Sequence, residues 1–411
     1  MTATAAGRSP RSVASVVAFT AFISALLAVG IDTALPAFDE IRSAFGLAGG
    51  SGQVSLVVTF YFLGMAVGQL PSGPLSDRFG RRPVLVGSLA LYAFGALGSS
   101  LAPGFGLLLG FRFLWGLGAA GPAVIAQAIA RDLYDGDQMA RVLALQMAVF
   151  LVGPTIAPLA GELLLRIGPW QLVFLAALAL SGVGIAWSVR FGETLPAERR
   201  RPIDGPAIGR GIRATLTHRH STGCVAAMVF SYGAFFVFLG SSQPIVDEVY
   251  GRPGWFALTF AGISAVQGLG VWLSSRVLGR VGAATVGTTA VLANLAAYLV
   301  MGAAALAADG VPSFWMWVAT TTVASTASTI TTITLVSLAL QPMERIAGTA
   351  TAVRGLLTLG LGSMLAAAVD RQIDTTITPM AIGGAIYCAA ALAVLTWARR
   401  GSLAVIDPDH P

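Results

Sequence analysis

Twelve long apolar runs divide this chain of 411 residues, and they constrain its fold more than any other feature. A helix needs about 20 predominantly apolar residues to cross the hydrocarbon core of a bilayer. Each run is at least 19 residues long, and the twelve occupy residues 13–35, 53–72, 84–102, 105–130, 142–164, 170–189, 223–244, 255–275, 283–308, 314–340, 348–369 and 379–397. Because backbone groups in lipid must be hydrogen-bonded within their own segment, each run is expected to be helical. The sequence therefore predicts an all-α integral membrane protein with twelve transmembrane helices.

The amino-acid composition argues against several other classes of protein. Hydrophobic residues make up 55% of the chain and charged residues 11%, less than half the share of about 25% that is usual in soluble domains. The net charge of +6 could suggest nucleic-acid binding, but the arginines lie in short segments beside the apolar runs, which indicates membrane topology instead. The histidines His218, His220 and His410 lie outside the runs, and Cys224 and Cys388 lie singly inside them, so we expect neither a metal site nor a disulfide.

The positions of the arginines predict the orientation of the chain. If the N-terminus is cytoplasmic and the loops alternate, 19 arginines fall in cytoplasmic segments, two fall within spans and four fall outside, at Arg42, Arg166, Arg252 and Arg371. Basic residues are retained on the cytoplasmic side of a membrane. We therefore expect a multi-pass protein of the plasma (inner) membrane with both termini in the cytoplasm.

One long polar segment interrupts the alternation of runs and short loops. It covers residues 190–222, follows the sixth run and contains seven arginines. Many secondary transporters consist of two six-helix repeats related by pseudo-symmetry and joined in this way. The sequence thus predicts a six-helix bundle at residues 1–189, a cytoplasmic linker at 190–222, and a second six-helix bundle with a short cytoplasmic tail at 223–411.

A short charged segment, residues 73–83, separates the second and third runs and reads GPLSDRFGRRP. We predict a tight cytoplasmic turn here, and its characteristic residues are Gly73, Asp77, Arg78, Gly80, Arg81 and Arg82. The segment resembles the pattern G-x-L-(S/A)-D-R-(F/Y)-G-R-(R/K), the cytoplasmic loop motif between helices 2 and 3 of the major facilitator superfamily. This resemblance implies the fold of that superfamily, and it extends over nearly the whole chain.

Four shorter segments resemble one branch of the superfamily, the Bcr/CflA family of bicyclomycin and chloramphenicol resistance exporters. They are DTALPA at 32–37, GQL at 68–70, ARDLY at 130–134 and ETLP at 193–196. Together they imply drug:proton antiport, in which the helix 1 aspartate, here Asp32, recognises protons and substrate. Some relatives carry a second acid one to two turns earlier in helix 1. This chain has Ser-Ala-Leu at 24–26 instead, which puts a mechanism with two carboxylates in doubt.

Only four charged residues fall within the twelve runs: Asp32, Arg112, Glu162 and Arg354. A charge in hydrocarbon costs about 2.5–3.5 kcal/mol on insertion scales, so each one needs a reason. Helix counting at about 1.5 Å per residue puts Arg112 roughly 10 Å and Asp32 roughly 5–9 Å below the outer boundary. The two side chains are therefore expected to pair, either as a structural ion pair or as a site of proton coupling. The sequence Arg112-Phe-Leu-Trp-Gly116 resembles the R-x-x-x-G signature of helix 4, which implies the coupling role.

The fifth run contains two glycines and two prolines, Gly153, Pro154, Pro158 and Gly161, which weaken a helix and allow close packing. This segment resembles the antiporter motif of drug exporters, a face that packs closely and seals the outer side. Relatives often have glycine where this chain has Glu162, and we expect Glu162 to pair with Arg166 one turn on. Arg354 lies about two turns into the eleventh run, where a snorkelling side chain is expected.

Aromatic residues offer a tentative wall for a substrate cavity. Tyr61 lies in the second run, and Phe235 and Phe236 lie in the seventh. Such side chains suit a drug-like molecule, although aromatic residues in membrane helices more often serve packing. Together with Asp32 and Arg112 they form the predicted cavity.

No enzyme is indicated: the chain has no catalytic motif, no cofactor motif and no nucleotide loop. We predict proton-coupled efflux of drug-like or natural-product small molecules by alternating access. The expected partners are the substrate, protons and the lipid bilayer, and the protein is expected to be a monomer. Two alternatives stay open, a proton-coupled importer of a small nutrient and a membrane sensor built on a transporter scaffold. An importer commonly has several polar groups in its cavity, and a sensor commonly has a soluble output domain.

Overall fold

The computed structural model describes residues 12–47 and 52–399, and its regular structure is helical throughout that part of the chain. Its α-helices are α1 (Val13–Asp32), α2 (Phe38–Ala44), α3 (Leu56–Phe79), α4 (Arg81–Ser100), α5 (Phe105–Leu133), α6 (Gly136–Ile167), α7 (Gln171–Phe191), α8 (Gly205–Thr217), α9 (Arg219–Pro244), α10 (Phe256–Val281), α11 (Ala283–Leu306), α12 (Phe314–Leu340), α13 (Ala347–Asp370) and α14 (Thr378–Ala398). The predicted all-α class is confirmed.

Eleven helices within the described residues are long and apolar enough to cross a membrane. They correspond to eleven of the twelve predicted runs. The remaining run, 142–164, lies within the 32-residue helix α6, which also contains side chains outside the described set. A multi-pass membrane protein is therefore established, while the count of twelve spans stays a prediction.

The predicted turn at residues 73–83 is almost entirely helical, which corrects the sequence prediction. Helix α3 continues to Phe79 and α4 begins at Arg81, so Gly80 alone joins them. Gly80 has φ +102°, a backbone conformation that other residues rarely adopt, and this ends α3 abruptly. The charged residues of this segment favour a loop when only the sequence is considered. A helix that projects beyond the bilayer can carry the same charges on its surface.

The side of the bundle that carries Gly80 is called the motif side here, and the opposite side, where the 3-10 segment Gly52–Ser55 leads into α3, is called the far side. Helices α1 to α7 precede the predicted linker. Within them, α5 packs against α3 and α4, α7 packs against α4, and α6 packs against α1. Glycines permit the closest approaches: Gly116 of α5 lies against the Tyr61 carbonyl, and Gly64 of α3 lies against the Phe113 carbonyl. This close packing fixes where the side chains of α5 point.

Helices α9 to α14 follow the linker and contact the first group most extensively through α3 with α13 and α6 with α10, while α9 also touches α2 and α3. At the far side, the carbonyl of Asp370 in α13 lies against Gly52. Further toward the motif side, Gln69 of α3 lies against Gly355 of α13. The predicted linker contains the short helix α8, which packs against α9 and α13 and places Gly211 beside Thr349.

Candidate functional site

Arg112 is fully buried in the middle of the first helix group. Its Nη1 donates a hydrogen bond to the Gly30 carbonyl of α1 at 2.8 Å, and its Nε donates to the Val57 carbonyl of α3 at 3.1 Å. Its Nη2 has no hydrogen-bond partner within the described part of the chain. One guanidinium thus joins three helices through backbone carbonyl groups.

Three aromatic rings surround the guanidinium of Arg112. Its central carbon lies 4.8 Å from the ring centre of Tyr61, 4.7 Å from Trp115 and 5.6 Å from Phe174. A cation over aromatic faces is stabilised even where water is excluded. The Tyr61 hydroxyl and the Trp115 indole nitrogen are also buried, and neither has a hydrogen-bond partner among the described residues. The site can therefore hold a positive charge in an apolar interior, with spare donors beside it.

Asp32 is the last residue of α1 and is 5% exposed. Among the described residues it forms no ion pair, so the predicted direct pair with Arg112 is absent from this conformation. Arg112 bonds instead to the carbonyl of Gly30, two residues before Asp32. The two predicted residues are thus connected through two residues of backbone rather than by an ion pair of their side chains. The comparable depth predicted by helix counting does not by itself bring the side chains together, because the direction of each side chain around its helix axis also matters.

The predicted aromatic wall is arranged differently from the expectation. Tyr61 is fully buried and faces Arg112, so in this conformation it belongs to the arginine site rather than to an open cavity. Its neighbour Phe62 stacks on Phe236 of α9 with ring centres 4.1 Å apart, which joins the two helix groups. Phe235 is partly buried, and its ring centre lies 6.0 Å from that of Phe236 and 6.1 Å from that of Phe238. The sequence pattern did not single out Phe62, although it follows Tyr61 directly.

The glycine and proline residues of α6 lie at the contact with α1. Gly161 lies against the Thr33 carbonyl, and a Cβ atom at Gly153 would lie 2.8 Å from the Ala28 methyl group. Pro154 and Pro158 occur inside the helix between them. Because α6 also packs against α10, the same helix links α1 to the second helix group. The end of α1 that carries Asp32 therefore rests on a helix that contacts both groups.

The loop-motif residues take part in a charged network at the motif side. Arg81 is 8% exposed; its Nε donates to Asp132 at 2.8 Å, its Nη1 donates to Ser76 at 2.8 Å, and it also pairs with Asp77. The carboxylate of Glu193 accepts from the backbone amides of Arg81 at 2.8 Å and Arg82 at 3.1 Å. This network therefore joins the ends of α3, α4 and α5 to the segment after α7.

The other motif residues have simpler surroundings. Gly73 has open space where a side chain would be, and Gly80 lies directly against Glu193. The guanidinium of Arg78 lies 5.1 Å from the ring centre of Phe79. Asp132 and Glu193 belong to the ARDLY and ETLP segments, so the structure brings together pieces that the sequence presents separately.

The remaining span charges have local surroundings. Glu162 accepts from Arg166 at 2.7 Å, which confirms the predicted pair. Arg354 is partly buried, and its Nε is buried without a partner among the described residues. Helices α8 and α9 pack against α13, and the extension of Arg354 toward the membrane surface stays a prediction.

Sequence reasoning missed a set of polar residues that join the two helix groups at the far side. Asp370 of α13 is 2% exposed and accepts from Ser241 of α9 at 2.6 Å, within the second group, while its carbonyl lies against Gly52 of the first group. Arg42 of α2 forms ion pairs with Asp39 at 3.1 Å and with Glu248, which follows α9. Asp370 lies one residue beyond the predicted run 348–369, so the survey of charges within the runs does not include it. An acid within one residue of a span end is the signal that could have found it.

Comparison with known proteins identifies the family. Residues 17–367 match the Major Facilitator Superfamily profile. The chain belongs to this superfamily. It is 28% identical to a bicyclomycin resistance protein homolog of Haemophilus influenzae, over 87% of this chain and 89% of the relative. It is also 28% identical to a chloramphenicol resistance protein of Pseudomonas aeruginosa, over 88% and 86% of the two chains. These relatives bear out the resemblance seen in the short sequence segments.

A solved structure supports the fold. The xylose transporter XylE from E. coli, in an inward-open conformation, superposes with a TM-score of 0.73 over 95% of this chain and 97% of its own, at 13% identity. At that identity the likeness shows the fold alone. Membership of the superfamily makes this chain a membrane transporter of small molecules and not an enzyme.

Proposed function

We propose that this protein is a proton-coupled exporter of drug-like or natural-product small molecules. Relatives named for bicyclomycin and chloramphenicol resistance, which span most of the chain, support export of such compounds. The observation that carries the proton coupling is the surroundings of Asp32, a buried carboxyl without an ion-pair partner among the described residues, at the end of a helix held by Arg112.

The coupling argument rests on the cost of burying charge. An ionised carboxylate away from water and without a cation is strongly unfavourable, so this conformation suits Asp32 in its protonated form. Arg112 fixes the last turn of α1 through Gly30, and Thr33 lies against Gly161 of α6. A change in the protonation of Asp32 therefore acts on a turn that contacts the helix next to α10.

The proposed orientation places the motif side in the cytoplasm of an inner-membrane protein, with both termini on that side. The arginine distribution supports it, because 19 of 25 arginines then fall in cytoplasmic segments. We propose bundles at 1–189 and 223–411 that move against each other, a linker at 190–222, and a monomer as the working unit.

The transport cycle follows from these assignments. A proton that reaches Asp32 from outside favours the state in which the far side is closed, since Asp32 is then neutral and needs no partner. Substrate enters from the cytoplasm and contacts the aromatic side chains where the two groups meet, such as Phe236 and Phe235. Release of the proton inward restores the negative charge of Asp32. The ionised carboxylate is then attracted to the guanidinium of Arg112, and this attraction favours the outward-open state.

The test is transport into everted membrane vesicles with an imposed pH gradient, using chloramphenicol and bicyclomycin as probes. Asp32→Asn keeps the shape and removes the titration, so gradient-driven accumulation should fall to the background level. Asp309→Asn is the matched control, because Asp309 is exposed in a far-side turn and Asn tolerates its positive φ of 49°. Accumulation by Asp32→Asn at the wild-type rate would refute the coupling assignment.

A second measurement separates export from import. A drug-sensitive host that expresses the protein should tolerate more of the exported probe, and an uncoupler should abolish that tolerance. Increased sensitivity to a probe would instead indicate uptake and support the importer alternative.

A further inference from the structure

Asp370 is buried at the far-side contact between the two helix groups. Its Oδ1 accepts from the Ser241 hydroxyl of α9 at 2.6 Å. A Cβ atom at Gly240 would lie 2.7 Å from Oδ2 and 3.2 Å from Cβ of Ser55, so the carboxyl group and Ser55 share one small space. Gly52 lies against the Asp370 carbonyl. The carboxyl is thus enclosed by α9 on one side and by the segment that leads into α3 on the other.

No cation faces this carboxyl from the helices packed around it. By sequence, α12 and α14 contain no charged residue, and α3 has only Asp77 and Arg78, both at the motif side. Helix α9 has Arg219 and His220, also at its motif-side end. In α14, the Tyr387 hydroxyl donates to the Leu365 carbonyl rather than to the acid.

The charged groups that do lie near the far-side end of these helices offer no compensation. Arg371 follows Asp370 directly but is exposed, as is Asp374. Arg42 is already paired with Asp39 and Glu248, and Asp247 accepts from Gln243 at 2.8 Å. Residues 48–51, which precede Gly52 in the sequence, include no charged side chain. The charges immediately beyond α9, Asp247 and Glu248, are acidic, so they would repel an ionised carboxylate. Arg252 follows them, and its guanidinium lies over the rings of Trp255 and Phe314.

The available hydrogen atoms also favour a neutral carboxyl. Ser241 gives its hydroxyl hydrogen to Asp370, and Ser55 gives its own to the Gly52 carbonyl at 2.6 Å. An ionised carboxylate accepts several hydrogen bonds, whereas a protonated carboxyl both accepts and donates. A protonated Asp370 could donate to the Ser55 oxygen beside it. A buried carboxyl with hydroxyl neighbours and no cation is stable only when it is neutral.

We propose that Asp370 is a second proton-binding site and that a proton bound there holds the far side closed. The site joins Ser241 and Asp370 of the second helix group to Gly52 and Ser55 of the first, so opening the far side separates these groups and admits water. The carboxyl then ionises and gives its proton to that water; closing requires a proton from the same side. Asp370 thus exchanges protons with the far side only and makes closure sensitive to the acidity there. This inference deepens the proposed function and rests on it, but it assigns a role distinct from that of Asp32.

The experiment measures the far-side distance as a function of pH by double electron–electron resonance. Spin labels are attached at L101C and L306C, because Leu101 follows α4, Leu306 ends α11, and both are exposed at the far side. The native cysteines, both buried, are replaced by C224A and C388A. The parent protein carries Asp32→Asn, so titration at Asp32 cannot contribute. Comparison with Asp32→Asn/Asp370→Asn between about pH 5 and about pH 9 then isolates Asp370.

We expect the closed fraction of the parent to fall as pH rises, with the ratio of closed to open changing up to about tenfold per pH unit on the steep part of the curve. Asp370→Asn should keep the far side closed at every pH. The matched control Asp374→Asn, a change at an exposed acid of the same turn region, should behave as the parent. Ser241→Ala should lower the closed fraction at every pH and leave the pH dependence in place.

Two results would overturn the proposal. One is a parent whose far-side distance does not respond to pH, and the other is a response that survives Asp370→Asn. Both leave the assignment of Asp32 intact, because that assignment is judged by gradient-driven transport in the single variant Asp32→Asn. Failure of Asp32→Asn to abolish coupling would count against the proposed function. The pH response of the far-side distance would still decide the role of Asp370.

Discussion

The polar contacts of the motif side and the far side differ in what they connect. At the motif side, Arg81 meets Asp77 and Asp132, and Glu193 binds the adjacent backbone, all within the part of the chain that precedes the linker. At the far side, Arg42 meets Glu248, and Asp370, which Ser241 holds within its own group, lies against Gly52, so the contacts join one helix group to the other. The motif-side network can persist while the two groups move, whereas the far-side contacts must break when that side opens.

The two sides also differ in how charge is balanced. Arg81 has two carboxylate partners, and its amide is bound by a third. Asp370 has hydroxyl neighbours and, among the described residues, no cationic partner. A balanced network stabilises a structure over a wide pH range, while an unbalanced buried acid makes its contact depend on a proton. Four variants test this difference, from the largest expected effect to the smallest.

The largest effect is expected for Arg81→Ala. It leaves the nearly buried Asp132 without its cation, so we expect the helix group to lose about 3 kcal/mol of stability. Thermal unfolding in detergent measures this loss, and transport should fall with it. Arg82→Ala is the control, since Arg82 is exposed and its side chain is not part of the network. Equal melting temperatures for the two variants would contradict the proposed role of the network.

Glu248→Gln should act on conformation rather than on stability. It removes the ion pair between Arg42 and Glu248, which exists only while the far side is closed, so the closed-to-open ratio should fall by about tenfold, or about 1.4 kcal/mol. The spin-label distance between positions 101 and 306 reports this shift. A lower melting temperature with an unchanged distance distribution would mean that the pair supports the fold and not the closed state.

Asp77→Ala should have a moderate effect. Asp77 is half exposed and Arg81 keeps Asp132, so the network loses one contact and retains the other. We expect a lower transport rate with substrate affinity unchanged within a few-fold, measured by initial rates over a range of probe concentrations. A large loss of affinity with normal conformational cycling would place Asp77 at the substrate site and not in the motif-side network.

Glu162→Gln should have the smallest effect. The pair with Arg166 lies within one helix turn, and the Arg166 side chain is 72% exposed. Exposed pairs of this kind contribute about 0.3–0.5 kcal/mol, so thermal stability and transport should stay close to wild type. A tenfold loss of transport would show that Glu162 takes part in the contact between α6 and α10 rather than in a local pair.

Local features could be read from the sequence. The apolar runs predicted the spans because a bilayer fixes how long a helix must be. The pair of Glu162 and Arg166 was predictable because residues four apart share a helix face. The residues of the loop motif were found by their pattern, but their helical conformation was not. Helix α3 continues through them with Pro74 inside it, and it ends at Gly80, whose φ is +102°.

The sequence by itself determined the class of this protein: its length, its apolar runs and its arginines identify a multi-pass membrane transporter, since hydrophobic length and motif order are written residue by residue. Only the tertiary structure decided the partners. Helix counting predicts a similar depth for Asp32 and Arg112, yet Arg112 donates to the carbonyls of Gly30 and Val57. Asp370, beyond the end of a predicted run, is a buried contact between the two helix groups through Gly52. These contacts depend on the rotation of each helix about its axis and on the approach of helices that are distant in sequence. Counting residues along the sequence gives neither of these quantities.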